Sequence, residues 1–404
     1  MKVLLVHNRY QQRGGEDAVV DAETCLLRSR GIDVERLEAD NDGIHGPWAM
    51  IRTSMNQFAG SSDIRKRILH VLKTFHPDIV HVHNWFPTIS ATIFRQSKSF
   101  GIPVVHTIHN YRLLCVNATL FRDGHVCEDC IGSTVRIPGI RHKCYRGSAL
   151  GSAAATAGML AHWAAATWHD SVDRFIALTE FSRAKLIEGG LPADKISVKP
   201  NFIEPGPEPG AGDGGYFLYA GRLTEEKGLR VLIECWRKGP ELPPLWIAGD
   251  GPLRAEVECA AASLQNLRWV GMRSGQDVLD LMKRAKATLC PSLWYEGMPR
   301  VVIESLAVGT PVIASKFGGY PEMIVDGESG ALFATGDASA LLGRIRELEE
   351  SSALARMRDD TRLRFLAAYT GEKNFSKLLD IYRAAMDPAR GTLPLPASPG
   401  TCLP

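Results

Sequence analysis

Two basic side chains in the second half of the chain are spaced so that they could bind one anionic ligand. Arg222 follows an apolar strand pattern, and Lys227 stands five residues later, just before a helical pattern. A guanidinium and an ammonium group at the carboxyl end of a strand can both bind the same diphosphate. The alternative is that both are solvated charges beside Glu225 and Glu226.

Two glutamates accompany another predicted helix farther along the chain. Pro299 fits the first turn of this helix and Gly309 its end, which places Glu296 in the preceding loop and Glu304 on the helix. A carboxylate among the apolar neighbours of Glu304 is costly unless it meets hydroxyl groups or other donors. Glu304 therefore suits a ribose diol, and Glu296 suits the hydroxyls of a sugar. The alternative is a structural Glu304 paired with a neighbouring arginine.

A glycine pair, Gly14 and Gly15, separates the first apolar strand pattern from a helical one. Glycine lets backbone N–H groups approach an anion at a helix N-terminus, where the helix dipole favours negative charge. The spacing is not Gly-x-Gly-x-x-Gly, so it does not indicate a nicotinamide or flavin dinucleotide. A plain strand-to-helix turn explains the pair equally well.

Positioning these residues requires alternating strands and helices, and the sequence predicts two such series. Short apolar runs, each followed by a helical pattern, predict a parallel α/β sheet in each half of the chain, and such sheets bind ligands at the carboxyl ends of their strands. The predicted strands of the first half are Val3–Val6, Ile79–Val82, Val104–Ile108 and Phe175–Leu178. Those of the second half are Tyr216–Ala220, Leu245–Ala248, Leu267–Val270, Ala287–Cys290 and Pro311–Ala314, and the predicted helices are Gly228–Lys238, Leu253–Leu264, Val278–Arg284, Arg300–Ala307, Ala338–Leu348 and Ala353–Ala368.

The predicted domain boundaries follow the composition. Eight of the twelve residues in 204–215 are Gly or Pro, which indicates a linker between a first domain at 1–203 and a second at 216–370. A final helix, Lys373–Met386, could fold back on the first domain. Residues 387–404 include five prolines and are predicted to be disordered.

Length and composition limit the class of protein. A chain of 404 residues suggests two or three domains at about 150 residues each. The net charge of +2 excludes a dedicated nucleic-acid binder. The first apolar run is too short for a signal peptide, so we expect a cytoplasmic protein or one at the inner face of the membrane. The stretch Ala149–Trp168 is rich in Ala and Gly and is expected to be a buried or surface-lying helix rather than a membrane span.

The ordered set of motifs resembles glycosyltransferase family 4, the retaining group 1 enzymes of the GT-B fold, over about residues 1–386. The resemblance implies two Rossmann-like domains facing across a cleft, with a C-terminal helix crossing back to the first. Its matching pieces are the Gly14-Gly15 loop, His109 after the strand at Val104, Thr179–Ser182, Pro200-Asn201, Gly221-Arg222 with Glu226–Gly228, Ala248–Pro252, and Glu296 with Glu304.

The resemblance implies how the phosphates and base of a donor would be held. Arg222 and Lys227 would neutralise the diphosphate. Gly14 and Gly15 would let their loop close on it. The base would lie near Arg273.

The resemblance also implies roles around the transferred sugar. Glu304 would bind the ribose hydroxyls, while Glu296 and the backbone amides of Gly297 and Met298 would position the sugar. His109, from the first domain, would hydrogen-bond the sugar near its reacting carbon. The alternative for His109 is a core histidine with satisfied hydrogen bonds.

The implied activity is transfer of a sugar from a UDP-, GDP- or ADP-sugar to a saccharide or lipid-linked acceptor, in polysaccharide or glycolipid synthesis. Retention of anomeric configuration follows from the resemblance alone. No cofactor is required for catalysis, because fixed cations can stabilise the leaving diphosphate. A sugar-nucleotide epimerase or hydrolase, or a non-catalytic binding protein on the same fold, is the alternative.

Four cysteines fall within a short stretch of the first half: Cys115, Cys127, Cys130 and Cys144. Their number suits a structural zinc site, although the spacing matches no common zinc finger. Free or redox-active thiols and disulfides are the alternatives.

The same region is basic. Residues 61–150 contain twelve Lys and Arg against five Asp and Glu. The resemblance places acceptor binding in the first domain, so this excess, followed by a helix bearing Trp163 and Trp168, could meet an anionic membrane. An ordinary solvated face and a core helix are the alternative.

Overall fold

The computed structural model describes residues 1–9, 14–40, 60–133 and 135–387. The first α/β unit contains a six-stranded parallel sheet of order β2-β1-β3-β4-β7-β8, with a small hairpin, β5–β6, outside it. Its strands are β1 (Lys2–Asn8), β2 (Asp33–Ala39), β3 (Ile79–Asn84), β4 (Val104–Thr107), β5 (Phe121–Arg122), β6 (His125–Val126), β7 (Arg174–Ala177) and β8 (Ile196–Val198). Its helices are α1 (Gly15–Ser29), α2 (Ser62–Phe75), α3 (Thr92–Ser99), α4 (Ile137–Arg141), α5 (Ala149–Ala164), α6 (Thr167–Asp170) and α7 (Glu180–Glu188).

The second unit is built on another six-stranded parallel sheet, of order β11-β10-β9-β12-β13-β14. Its strands are β9 (Phe217–Ala220), β10 (Leu245–Ala248), β11 (Leu267–Gly271), β12 (Ala287–Cys290), β13 (Val312–Ser315) and β14 (Gly330–Phe333). Its helices are α8 (Leu229–Lys238), α9 (Arg254–Ser263), α10 (Gly275–Arg284), α11 (Arg300–Ala307), α12 (Tyr320–Met323), α13 (Ala338–Glu350) and α14 (Ala353–Ala368). The segment predicted as a linker, 204–215, runs between β8 and β9.

The last helix, α15 (Gly371–Met386), leaves the second unit and packs on the first sheet. Its buried residues Leu378, Ile381 and Tyr382 share one core with Val3 and Val105. Thr370 caps the helix by accepting a hydrogen bond from the backbone N–H of Lys373, so the helix begins at Gly371, two residues before the predicted start. Burial of this apolar face holds the crossing helix on the first sheet.

The predicted strands are present, including the edge strand β11, whereas the edge strands β2, β8 and β14 were missed. β2 carries four charged residues among its seven, as is possible on an edge strand whose one face meets solvent. β8 has only three residues, and β14 begins at Gly330, whose φ of +159° is not typical of a strand. The β8 run is too short to be recognised, and the glycine that opens β14 leaves three apolar residues in its pattern. The tail predicted to be disordered lies, from residue 388 on, outside the described residues.

The alanine-rich stretch around α5 forms part of the first unit. No helix in the described part of the chain has both the length and the apolar character needed to cross a membrane. Trp168 is only 2% exposed, and the Trp163 ring nitrogen donates to the carbonyl of Leu113 at 3.2 Å. The two tryptophans therefore contribute to the core, as the core-helix alternative predicts, and do not form an exposed apolar face.

Candidate active site

A half-buried lysine, Lys227, and a buried glutamate, Glu296, form an ion pair at the carboxyl edge of the second sheet. The Lys227 Nζ lies 2.6 Å from Glu296 Oε1, and Ser292 donates to the same oxygen at 2.7 Å. Tyr320 in turn donates to the Ser292 hydroxyl at 3.0 Å. Burial opposes ionisation of Glu296, but Lys227 and Ser292 hold the pKa of its carboxyl below the ordinary value. The site therefore contains an ionised, firmly oriented carboxylate.

Arg222 lies in the same loop as Lys227 and is exposed. Its carbonyl accepts a hydrogen bond from the Tyr219 hydroxyl at 2.7 Å, which fixes the backbone at the end of β9. The loop ends at Gly228, where φ is +72° and a Cβ would lie 1.9 Å from the carbonyl oxygen of Pro291. Among the described residues, no carboxylate is within 4.0 Å of the Arg222 guanidinium, so this cation is available for a ligand.

The two units meet directly at the glutamate loop. A Cβ on Gly297 would lie 2.9 Å from the carbonyl oxygen of His109, so only glycine lets the end of β4 approach so closely. Met298 is buried next to it, and its sulfur accepts from the backbone N–H of Asn201 at 3.1 Å. The structure thus brings the backbone of His109 in the first unit against Gly297, which lies between Glu296 and Met298 in the second.

The His109 side chain is held by a second histidine. The alternation of β3 places His81 and His83 on the same face of the sheet. His83 Nε2 lies 3.0 Å from Glu23 Oε1, and His83 Nδ1 lies 3.0 Å from His109 Nε2. Burial and the neighbouring His81 lower the pKa of His83 to about 3, so its ring is neutral.

These contacts fix the protons on both rings. The Glu23 carboxylate can only accept, so His83 carries its proton on Nε2 and its Nδ1 is an acceptor. His109 therefore donates from Nε2 to His83. Burial and His83 keep the pKa of His109 well below its ordinary value, so its Nδ1 is unprotonated. His109 is oriented as a hydrogen-bond acceptor, which suits contact with a sugar hydroxyl.

Glu23 is itself neutralised by a lysine. Lys199 Nζ lies 2.9 Å from Glu23 Oε2 and 3.3 Å from Asn374 Oδ1, and both members of the ion pair are at most 1% exposed. Burial opposes ionisation of Glu23, but Lys199 and the two histidines hold its pKa well below the ordinary value. Sequence reasoning missed Glu23, His83 and Lys199. The alternating histidines of β3 were the available signal for one of them.

The glycine pair lies against the second unit. The Gly14 N–H donates to Asp17 Oδ2 at 2.7 Å, and a Cβ on Gly15 would be 3.9 Å from the Arg300 side chain. Arg300 Nε donates to Glu304 Oε1 at 2.9 Å, so the arginine pairing considered as an alternative for Glu304 is present. Only Oε1 of Glu304 accepts this bond. Because Gly15 lies so close to the Arg300 side chain, the glycine loop and α11 are adjacent across the cleft.

Arg273 is exposed and lies beyond the end of β11. β11 is the edge strand of its sheet, two strands from β9, which precedes Arg222. Its neighbour Met272 is 78% exposed. Arg273 and Met272 therefore lie at the outer end of the sheet edge that is formed by the carboxyl ends of the strands.

A carboxylate of the second unit caps a helix of the first. Both Glu322 carboxylate oxygens accept at 2.6 Å, from the backbone N–H groups of Glu180 and Phe181 at the start of α7. Negative charge is favoured at this end of a helix. Tyr295 packs beside this contact, with its ring centroid 4.6 Å from that of Phe181. Neither Glu322 nor Tyr295 was predicted, because contacts between domains leave no local pattern.

A further acidic motif begins where β2 ends. Asp40-Asn41-Asp42 is an Asp-x-Asp pattern, whose carboxylates are of the type that binds divalent cations. Asp40 directly follows β2, and residues 41 and 42 lie outside the described residues.

The buried histidines predict a specific acid sensitivity. Four histidines of the first unit have lowered pKa values, and burial is the main cause for each of them: His7, His83, His106 and His109. In an unfolded chain each would titrate near ~6.5, so below that pH the unfolded state binds more protons than the folded state. We expect the thermal unfolding midpoint to fall as pH decreases from about 6.5 towards 5, with no contribution from these groups above pH 7.

Differential scanning calorimetry between pH 5 and 8 measures this effect. Replacing exposed His125 with glutamine should leave the slope unchanged, whereas replacing His106 should make it shallower. A midpoint that stays constant down to pH 5 would show that these rings are not buried and neutral.

Sequence profiles of two glycosyltransferase families match consecutive parts of the chain. The profile described as Glycosyltransferase Family 4 matches residues 14–206, and the profile described as Glycosyl transferases group 1 matches residues 205–364. Together they extend from the glycine loop of the first unit to α14 of the second.

Curated relatives resemble part of this chain. A glycogen synthase of Mycobacterium tuberculosis is 26% identical over 305 residues, which cover 73% of this chain and 66% of that protein. The amylovoran biosynthesis glycosyltransferase AmsK of Erwinia amylovora is 34% identical over 185 residues, covering 42% of this chain and 46% of that protein. The matched regions thus span about half to two thirds of the length of these relatives.

A solved structure shares the fold of the whole described chain. The crystal structure of HepE from Anabaena in complex with UDP matches with a TM-score of 0.65 and 16% identity, covering 95% of this chain and 100% of that one. The prediction of two parallel-sheet domains in the GT-B arrangement is confirmed.

Proposed function

We propose that this chain, which belongs to the group 1 glycosyltransferases of family 4, transfers a sugar from a nucleoside-diphosphate sugar to a saccharide or lipid-linked acceptor. The observation that carries this proposal is the junction of the two units. It sets the Lys227–Glu296 ion pair beside His109, with exposed Arg222 in the same loop as the lysine. An ionised carboxylate, a hydrogen-bond acceptor and two cations then line one cleft.

The cations would stabilise the leaving diphosphate. When the bond from the anomeric carbon to the phosphate oxygen breaks, positive charge develops on the sugar and negative charge on the diphosphate. Lys227 has three N–H donors, so it can keep its bond to Glu296 and still donate to a phosphate oxygen. Arg222 can bind a second phosphate oxygen without giving up an ion pair. This chemistry requires no metal ion at the diphosphate.

The sugar would lie between Glu296 and His109. One Glu296 oxygen is occupied by Lys227 and Ser292, so we assign Glu296 to holding sugar hydroxyls rather than to forming a covalent intermediate. His109 would accept from a hydroxyl near the reacting carbon. Glu304 would use its second oxygen for the ribose. We therefore favour attack by the acceptor on the same face as the leaving group, with retention, and an inverted product seen by NMR would contradict this mechanism.

The donor would be a UDP-, GDP- or ADP-sugar. HepE, which shares the fold, has been crystallised with UDP and with UDP-glucose, which supports a uridine nucleotide as the first candidate. The base would bind near Arg273 and Met272.

The basic first unit supports an acceptor at an anionic membrane surface. Exposed Arg65, Lys66, Arg67, Arg141 and Lys143 carry part of its positive excess. Co-sedimentation with anionic liposomes at low salt tests this part of the proposal, and failure to co-sediment removes the membrane from it.

A thermal shift measurement tests the donor site. We expect one of UDP, GDP and ADP at millimolar concentration to raise the unfolding midpoint of the wild type, because a ligand that binds only the folded state stabilises it. Arg222→Ala should abolish the shift. Arg237→Ala, at an exposed position on α8, is the matched control and should retain it.

The outcomes separate the proposed function from its alternatives. No shift with any nucleotide would contradict a working donor site in this cleft. A shift accompanied by nucleoside diphosphate release without any acceptor would favour a hydrolase. An epimerised sugar without an acceptor would favour an epimerase, and binding without turnover would favour a non-catalytic protein.

A further inference from the structure

The four cysteines of the region between β4 and β7 line one pocket. Cys115 and Cys130 are buried, Cys127 and Cys144 are half-buried, and all four are free thiols. His142 lines the same pocket. The structure therefore brings together residues that are up to 29 positions apart in the sequence.

The surroundings of this pocket are suited to a negatively charged centre. Arg122 Nε donates to the sulfur of Cys127 at 3.3 Å. Arg136 is only 5% exposed and donates to the carbonyl oxygens of Leu113 and Leu114. Within the described ranges, no carboxylate lies within 4.0 Å of the Arg136 guanidinium, although a buried cation normally needs a counter-charge.

The thiols are the groups next to this buried cation. Arg136 Nε donates to the carbonyl oxygen of Leu114, which directly precedes Cys115, and as neutral thiols the cysteines carry no charge that could balance this guanidinium. A metal ion bound by four thiolates would supply negative charge beside Arg136, since metal ligation deprotonates the thiols.

We propose that Cys115, Cys127, Cys130 and Cys144 bind one structural zinc ion. Four thiolates around Zn²⁺ form a centre of net charge −2. The buried Arg136 guanidinium would offset part of this charge, and Arg122, which also pairs with Asp123 at 2.6 Å and Asp129 at 3.4 Å, would donate to the Cys127 sulfur. The thiol protons are released to solvent on binding, and no electron is transferred. This proposal does not depend on the proposed function.

Zinc binding requires the sulfurs to move closer together. Tetrahedral ligation at about 2.3 Å per Zn–S bond brings sulfurs to within about 4 Å of each other. In the described part of the chain, only Glu23, His81 and His83 place three potential ligand atoms all within 4.8 Å. The cysteine side chains would close this gap by rotating into the pocket they already line.

The tighter group of Glu23, His81 and His83 is less suited to a metal ion. Lys199 already neutralises Glu23 at 2.9 Å, and the two nitrogens of His81 lie 2.8 Å from the hydroxyls of Tyr382 and Thr107. A metal ion there would face an ammonium group at close range. The cysteine pocket offers softer ligands and a favourable charge environment.

The zinc ion would stabilise one wall of the cleft. Hairpin β5–β6 and the five-residue α4 are the regular elements between residues 109 and 148 of the described chain, so a bound metal would supply much of its rigidity. The turn between Cys127 and Cys130 carries Glu128, which pairs with Lys185 at 2.8 Å and contacts Tyr295. Tyr295 directly precedes Glu296. The metal would thereby hold the wall against the sugar-binding loop.

Elemental analysis of the full-length protein, purified without chelator, tests the proposal. We expect one zinc ion per chain, and its release when a mercurial reagent blocks the thiols. Cobalt substitution should give the absorption bands of tetrahedral thiolate ligation. Cys127→Ser with Cys130→Ser should lose the metal, while Cys25→Ser with Cys259→Ser, at exposed positions outside the pocket, should retain it.

Other results would overturn the proposal. Metal-free wild-type protein in which all nine thiols of the chain titrate after denaturation would show that the pocket holds reduced cysteines only. Metal-free protein that titrates as seven or five thiols would identify disulfides instead. If the double serine variant does not fold, the metal content and cobalt spectrum of the wild type decide the question. Because nucleotide binding is measured separately, a protein without zinc that still binds UDP would refute only the metal site.

Discussion

Lys227→Met is expected to lower kcat/KM for sugar transfer by about 10²–10³-fold, the loss typical when one fixed charge-stabilising donor is removed from an active site. Two effects combine. The substitution removes a cation from the leaving diphosphate, and it leaves the buried Glu296 carboxylate without its counterion at 2.6 Å. The second effect raises the pKa of Glu296, because burial favours the neutral carboxyl and Lys227 no longer stabilises the ionised form.

The pH profile separates these effects. In Lys227→Met the acid limb of the kcat/KM profile should move to higher pH, because a smaller fraction of Glu296 is ionised. Arg222→Ala should lower the rate without moving that limb. The measurement is the initial rate of nucleoside diphosphate release, with the donor identified by thermal shift and a saturating acceptor.

Lys238→Met is the matched control. Lys238 lies on α8 after the same loop, and its ion pair with Glu234 is exposed. Its replacement should leave the rate unchanged. If Lys227→Met retained activity within about threefold of wild type, a difference of only ~0.7 kcal/mol, the assignment of Lys227 to the diphosphate would be wrong.

The second large effect concerns stability. Lys199→Met should lower the free energy of unfolding of the first unit by about 3–5 kcal/mol, because removing one partner of a buried ion pair leaves the other charge uncompensated. Glu23 would remain without its ammonium partner at 0% exposure. The substitution also removes the bond to Asn374, which joins the first unit to α15.

Two further variants test whether the unpaired charge of Glu23 causes this loss of stability. The double variant Glu23→Gln, Lys199→Met should recover much of the loss, since no buried charge is left unpaired. Lys98→Met breaks a more exposed pair with Asp173 in the same unit and should cost at most about 1 kcal/mol. Urea unfolding followed by tryptophan fluorescence measures all three. A Lys199→Met protein no less stable than Lys98→Met would contradict the buried pair.

The sequence was sufficient to predict the fold because its central strands and helices carry strong apolar patterns. β1, β3 and β4 are buried runs in the first sheet, and the helix after Pro299 begins where proline predicts. The resemblance also selected loops that the structure brings together, with His109 meeting Gly297 across the cleft.

The remainder depended on contacts that a linear pattern does not encode. Glu23 and Lys199 are 176 residues apart, and each alone resembles an ordinary charged residue of a helix or a loop. Glu322 caps α7, whose first residues lie more than 140 positions earlier in the chain than Glu322. The buried polar network under His109 therefore emerged only from the folded structure, although it determines which nitrogen of His109 carries the proton.

A crystal structure of the protein with the nucleoside diphosphate that stabilises it tests the account most directly. We predict that the diphosphate lies between Arg222 and Lys227, that the ribose hydroxyls meet Glu304, and that the space next to the terminal phosphate is bounded by Glu296 and His109. A nucleotide bound elsewhere, or bound in this cleft without contact to Arg222 and Lys227, would contradict it.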